Sequence, residues 1–106
     1  MIVLDTHLLL RYLLNDDAAQ ARRVQHLLET SAQITITSTI VLELVWVLEC
    51  SEYSRAEIVG ALRHVLGLAN MRLPHEAELY RAVQWFEQGL DFVDALHLAL
   101  SPATAR

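Results

Sequence analysis

The chain has 106 residues, a net charge of −5 and 54% hydrophobic residues, which predicts one domain over residues 1–106 and excludes a disordered chain. Its single cysteine, Cys50, excludes a disulfide framework and a cysteine zinc cluster. No apolar stretch approaches the roughly 18 residues of a membrane span and no basic segment opens the chain, so we expect a cytoplasmic protein.

Short apolar runs alternate with helical spacing in the first part of the chain. Residues 1–4 are apolar and β-branched up to Asp5, so we predict a buried strand there. Helices follow at 8–14, which is apolar nearly all round, and at 18–29, whose apolar residues share one face. Residues 34–36 predict a second short strand.

Helix caps mark the starts of the next two predicted helices. Ser38 is placed to cap a helix at 40–50. Ser54 and Glu57 have the spacing of a capping box, which opens a helix that ends near residue 68.

A weak third strand and two more helices complete the predicted order. The strand covers 70–73, before Pro74, and the helices cover 76–88 and 91–100, with Gly89 between them as a stop. Strands that alternate with helices predict an α/β fold, in which helices cover both faces of a short parallel sheet.

Two acids stand where packing alone does not explain them. Asp5 follows the first strand, and sites in parallel sheets form at the carboxyl ends of strands. It is either a functional acid or the cap of the next helix. Glu43 lies beside Ile40 and Val47 in an apolar helix, so we expect its carboxylate to be buried or nearly so. A buried carboxylate needs a cation, hydrogen-bond donors, a proton or a distant arginine.

A polar stripe runs along the otherwise apolar last helix and consists of Asp91, Asp94, His97 and Ser101. Asp91 is interpreted either as a helix cap or as a site acid. Asp94 is interpreted either as an acid of the first turn, where the helix dipole favours negative charge, or as a site acid. Because Asp94 has another acid as its neighbour, a divalent cation between the two carboxylates would remove their repulsion.

If Asp5, Glu43 and Asp94 converge at one end of the sheet, they form an all-oxygen site, which selects Mg²⁺ or Mn²⁺ over zinc. Mg²⁺ held by a few carboxylates keeps water ligands, and a metal-bound water is a nucleophile. The substrate that suits such a site is a phosphodiester, whose oxygens complete the coordination of the metal.

In three segments, taken in order, the chain resembles the PIN-domain nucleases: MIVLDTHLLLRYLLNDD, STIVLELVWVLE and GLDFVDALHLAL. The resemblance is closest to the VapC-type ribonuclease toxins of bacterial type II toxin–antitoxin pairs and covers essentially all 106 residues. It implies a three-layer α/β/α fold and a Mg²⁺- or Mn²⁺-dependent endoribonuclease that acts on RNA. It also implies a homodimer and a cognate antitoxin that holds the enzyme inactive.

The resemblance assigns the site residue by residue. The first acid of the family falls on Asp5, its helix-borne glutamate on Glu43 and its third acid on Asp94, while Asp91 matches a common accessory acid. These four residues are the predicted catalytic set. Asp5, Glu43 and Asp94 are the predicted metal ligands.

The chain departs from the family pattern at two places. His7 stands where the family usually has Asn, and it either hydrogen-bonds a carboxylate, titrates and weakens the site at low pH, or is partly packed. Family chains usually continue past the last helix into another strand and a fourth acidic or polar residue, whereas this chain ends at Arg106. Three explanations stay open: a shortened form of the family chain, Asp91 in place of the missing ligand, or reduced metal affinity and activity. The alternative function is therefore a weak or inactive module that mainly binds a protein partner.

The negative net charge of the chain disfavours binding to nucleic acid. If the four site acids are not counted as surface charges, most of this net negative charge is removed. The arginines then hold phosphates or an acidic antitoxin segment, or are solvated helix residues. Trp46 and Trp85 are interpreted as core or dimer anchors rather than base-stacking platforms. The arginines concerned are Arg11, Arg22, Arg23, Arg55, Arg63 and Arg81.

Overall fold

The computed structural model describes residues 2–14 and 18–102. Within these ranges, helices predominate and two short strands pair in parallel. The elements are β1 (Ile2–Val3), α1 (Thr6–Leu14), α2 (Ala18–Thr30), β2 (Ile34–Thr35), α3 (Ser38–Cys50), α4 (Arg55–Leu66), α5 (Glu76–Glu87) and α6 (Phe92–Leu100).

The parallel sheet confirms the predicted α/β class. Ile2 faces Ile34 and Val3 faces Thr35, and the Leu4 amide donates to the Thr35 carbonyl at 3.0 Å. Parallel strands need a crossover between them, and α1 and α2 form it. The carboxyl end of β1 therefore leads directly into α1 through Asp5.

The predicted third strand is reduced to a single bridge. Met71 pairs in parallel with Ile34, and the Arg72 amide donates to the Ile34 carbonyl at 2.8 Å. Pairing extends no further because the Arg72 carbonyl accepts a hydrogen bond from the Thr35 hydroxyl and Pro74 has no amide hydrogen to donate. The described sheet is thus shorter than the sequence predicts.

The strand β1 is more exposed than predicted. Ile2 and Val3 are 37% and 59% exposed, so the prediction of a buried strand is wrong for both of them. Within the described ranges, β1 pairs only with β2, which leaves one side of β1 as a sheet edge. Leu4, just after the strand, is fully buried.

Side-chain caps fix the starts of α1, α3, α4 and α6. Asp5 caps α1, which therefore begins at Thr6 rather than at the predicted residue 8. Thr37, not Ser38, caps α3, because its hydroxyl accepts from the Ile40 amide at 3.2 Å. The capping box of α4 is confirmed.

One cluster of buried apolar side chains collects residues from every helix. Its largest members include Phe86 of α5 and Phe92 of α6, whose rings meet edge to face with centroids 5.6 Å apart. Gly89, between these two helices, has a φ of 115°, which favours glycine and lets the chain turn there. None of the helices in the described ranges has the length and apolar character needed to cross a bilayer.

Candidate active site

A cavity of 460 Å³ lies between the start of α1 and one side of α3. Two of the predicted site acids, Asp5 and Glu43, line it together. Its position follows from the fold, since β1 ends at the base of α1 and α1 packs on α3. The lining residues are Asp5, Thr6, His7, Leu10, Ile40, Glu43, Trp46 and Val47.

Asp5 is held at the edge of this cavity by the backbone of α1. Its Oδ1 accepts from the Leu8 amide at 2.9 Å, and its carbonyl accepts from the Leu9 amide at 3.2 Å. The cap interpretation is therefore confirmed. The cap engages one carboxylate oxygen and leaves the side chain exposed on the cavity, so it does not conflict with a role as a site acid.

Glu43 is exposed, so the expectation of a buried carboxylate is wrong. The face of α3 that enters the core carries its buried residues, which recur at the helical spacing i, i+3, i+4 and i+7. Glu43 lies off that face and toward the cavity. Its partner is the Thr6 hydroxyl, which donates to Oε2 at 2.8 Å, rather than a distant arginine. The core residues are Val41, Leu44, Val45 and Leu48.

Thr6 is a site residue that sequence reasoning missed. It is the first residue of α1, it is 8% exposed, and its hydroxyl links α1 to Glu43 of α3. A polar residue directly after Asp5 in an otherwise apolar segment was the available signal. Thr6 fixes one Glu43 oxygen and so orients the carboxylate in the cavity.

Asp91 and Asp94 lie at the start of α6 and do not line the cavity. Asp91 caps the helix, because its Oδ2 accepts from the Val93 amide at 3.1 Å and from the Asp94 amide at 3.3 Å. Asp94 is exposed in the first turn. The predicted roles of these two acids in catalysis and metal binding stay predictions.

Ser101, at the end of the polar stripe on α6, contacts backbone. The Ser101 hydroxyl donates to the His97 carbonyl at 2.7 Å, as a residue ending a helix often does. His7, by contrast, lines the cavity beside the carboxylates. Of the two histidines near predicted acids, His7 is therefore the one at the site.

The donor set of the cavity suits a hard cation. Asp5, Thr6 and Glu43 supply oxygen atoms, which match Mg²⁺ or Mn²⁺ better than zinc, and His7 adds a nitrogen donor to the same lining. Among residues 2–14 and 18–102, no three His, Cys, Asp or Glu side chains come together as a group that would hold a metal. The residues of the cavity thus fit the ion by chemistry and supply two carboxylates of the three predicted.

Two of the candidate phosphate-binding arginines are engaged elsewhere. Arg55 donates through Nη1 to the carbonyls of Phe86 at 2.6 Å and Leu90 at 3.0 Å, and its guanidinium lies 4.4 Å from the centre of the Phe86 ring. Arg63 pairs with Glu87 at 2.9 Å. These two arginines join α4 to α5 and do not line the cavity.

The two tryptophans differ in burial. Trp85 is half-buried and packs against the core, as interpreted from the sequence. Trp46 is 66% exposed and lines the cavity, so the core interpretation is wrong for it.

Comparison with known proteins places the chain in a family. The model of the PIN domain family matches residues 2–104, so the chain belongs to the PIN domain family. PIN domains are generally nucleases that use divalent metals. No curated protein and no solved structure matches the chain closely enough to count as a relative.

Proposed function

We propose that this PIN domain is a Mg²⁺- or Mn²⁺-dependent endoribonuclease and the toxin of a VapC-type toxin–antitoxin pair. The observation that carries the proposal is that Asp5 and Glu43, which the resemblance assigns to two acids of the family, line one cavity. The PIN domain match over residues 2–104 supports the nuclease class, and the three resembling segments support the toxin subtype.

The acids have separate roles in the proposed reaction. Asp5 and Glu43 would hold the metal, and Asp94, with Asp91 as an accessory acid, is the further acid that the resemblance assigns. When bound, the divalent ion supplies an activated water and stabilises charge on the phosphate. The Leu8 amide fixes Asp5 and the Thr6 hydroxyl fixes Glu43, so both carboxylates are oriented before substrate arrives. Glu43 is either a ligand or the base that orients the attacking water.

The test is cleavage of RNA with and without EDTA by the unmodified chain and by Asp5→Asn. Asn caps helices as well as Asp does, so this substitution preserves α1 while it removes the charge. The matched control is Glu49→Gln, which changes an exposed acid of α3 that does not line the cavity. We expect cleavage that EDTA and Asp5→Asn both abolish and that Glu49→Gln leaves unchanged. Activity that survives EDTA and Asp5→Asn would exclude the proposal.

The partners proposed are an RNA substrate, a cognate antitoxin and a second copy of the chain, in the cytoplasm. Exposed large apolar residues support an association, among them Val3 at 59% and Val93 at 53%. Light scattering after size exclusion measures the oligomeric state of the isolated chain. A mass that stays monomeric across the accessible concentrations would exclude the homodimer.

The second candidate is a weak or inactive module that mainly binds a protein partner. It is favoured by the position of Asp91 and Asp94, which lie outside the walls of the cavity. Calorimetric titration with Mn²⁺ separates the two candidates. Binding that Asp5→Asn weakens supports the nuclease, whereas no binding in the millimolar range supports the inert module.

A further inference from the structure

The exposed indole of Trp46 is the feature of the cavity that the metal chemistry leaves without a role. Trp46 is 66% exposed, although a tryptophan side chain is among the largest apolar groups that a protein can bury. It lies three residues after Glu43 on α3, and residues at this spacing are neighbours on a helix surface. Trp46 and Glu43 are therefore neighbours on the side of α3 that lines the cavity.

The walls of the cavity favour a planar and uncharged part of a substrate. Leu10, Ile40, Val47 and Trp46 supply apolar surface, and His7 supplies a second ring. Among the residues that the structure describes, no arginine lines the cavity. Bases bind to proteins chiefly by stacking on aromatic and apolar side chains. Apart from its two carboxylates, the cavity therefore suits a nucleobase better than a phosphate.

We propose that Trp46 stacks on a base of the nucleic acid and thereby selects an unpaired nucleotide next to the scissile phosphate. The inference rests on the proposed nuclease function and adds to it a specificity-determining residue. A base within a duplex has both faces covered by its neighbours, so only an unstacked base offers a face to the indole. Because Trp46 adjoins Glu43, the stacked base belongs to a nucleotide adjacent to the reacting phosphate.

Tryptophan fluorescence tests the proposal in the Trp85→Phe chain, where Trp46 is the one remaining tryptophan. The Asp5→Asn substitution is added to prevent turnover, and Mg²⁺ is present. The titrants are a short single-stranded RNA and the same RNA annealed to its complement. We expect the single strand to quench the emission of Trp46 to saturation and the duplex to quench it far less.

Trp46→Ala and Trp46→Phe then measure the role of the ring in the chain that retains Asp5. Loss of one stacked base weakens binding roughly 5- to 150-fold, so we expect Trp46→Ala to raise KM for single-stranded RNA by a factor in this range. We expect kcat to change less than KM, and Trp46→Phe to restore most of the affinity. If Trp46 were merely structural, we would not expect both quenching of its emission by single-stranded RNA and recovery of the affinity in Trp46→Phe.

The outcomes separate this inference from the nuclease proposal. If the unmodified chain fails to cleave RNA but its Trp46 is still quenched and Trp46→Ala weakens binding, the stacking role stands without the nuclease. If cleavage needs Asp5 while Trp46→Ala leaves both KM and affinity unchanged, the stacking role is wrong. Emission of Trp46 that shifts to the blue as protein concentration rises, without RNA, means that a second copy covers the indole, and this also overturns the proposal.

Discussion

The α1–α3 cavity and the α4–α5–α6 unit use their polar side chains differently. In the α4–α5–α6 unit, Arg55 binds two backbone carbonyls at the end of α5, and Arg63 pairs with Glu87. In the cavity, Asp5 accepts from the Leu8 amide and Glu43 from the Thr6 hydroxyl, both in the first turn of α1, and both side chains remain exposed. Charged side chains therefore hold helices together in one region and are presented to solvent in the other.

This contrast has a physical basis in the cost of like charges. Two carboxylates that share a cavity repel each other, and neither contributes to packing. Beyond the cap that Asp5 gives α1 and the hydrogen bond that Glu43 accepts from Thr6, the pair of acids therefore adds no stability, whereas Arg55 and Phe86 contribute by packing. Substitutions in the two regions should consequently separate stability from activity.

Removing the Phe86 ring should have the largest effect on stability. The ring is 1% exposed, packs edge to face on Phe92 and lies under Arg55. We expect Phe86→Ala to lower the free energy of unfolding by about 3–5 kcal/mol, which urea denaturation measures. Gln84→Ala, at an exposed position of the same helix, is the control and should change it by less than about 0.5 kcal/mol. A loss below about 1 kcal/mol for Phe86→Ala would contradict the packing of α5 on α6.

Arg55 should have the next largest effect. Arg55→Met removes the guanidinium that donates hydrogen bonds to the carbonyls of Phe86 and Leu90. We therefore expect the free energy of unfolding to fall by about 2 kcal/mol. Arg55→Lys keeps the charge but cannot reproduce the planar fork, and should recover only part of the loss. Arg81→Met, at an exposed arginine of α5, is the matched control in urea denaturation. Equal stability of Arg55→Met and the unmodified chain would show that these contacts contribute nothing.

The sequence predicts the parts of the fold that local chemistry decides. The capping box at Ser54 and Glu57 and the stop at Gly89 follow from residue type and spacing alone, and the structure has both. The prediction of the third strand was too long, because the end of the strand depends on a side chain distant in the sequence. This is Thr35, whose hydroxyl donates to the Arg72 carbonyl.

The candidate site could be predicted only in part. Asp5 is visible as the acid that ends a strand, but α3 is so apolar that its periodicity does not reveal the core-facing side, and Glu43 was wrongly expected to be buried. Which acids share a cavity depends on how α6 packs, and no local pattern contains this information. The same ambiguity concealed the exposure of Trp46.

Ser54→Ala should have a smaller, pH-dependent effect. The Ser54 hydroxyl accepts from the Glu57 amide, and its loss should cost about 1 kcal/mol in urea denaturation at neutral pH. Hydrogen bonds from the Ser54 amide, and next from its hydroxyl, hold the pKa of the Glu57 carboxyl below its ordinary value. The charged form of Glu57 therefore stabilises the fold above its ordinary pKa, and this contribution is lost as the pH falls through the lowered pKa.

An NMR titration of Glu57 checks the sign of this effect. In Ser54→Ala, the pKa should rise part of the way toward the ordinary value, because the backbone donor remains. The control Glu57→Gln should lose less stability on acidification than the unmodified chain does. A Glu57 pKa that Ser54→Ala leaves unchanged would exclude the hydroxyl as a cause.

Glu43→Gln should have the smallest effect on stability and a large effect on activity. The side chain is exposed and the amide oxygen of Gln still accepts from the Thr6 hydroxyl, so the free energy of unfolding should change by less than about 0.5 kcal/mol. Cleavage of RNA should fall at least about 100-fold, because the substitution removes a charged ligand or base. Glu49→Gln on the same helix is the control for both measurements. A Glu43→Gln chain that unfolds more easily but cleaves normally would make Glu43 a structural residue, and the contrast between the two regions would then be wrong.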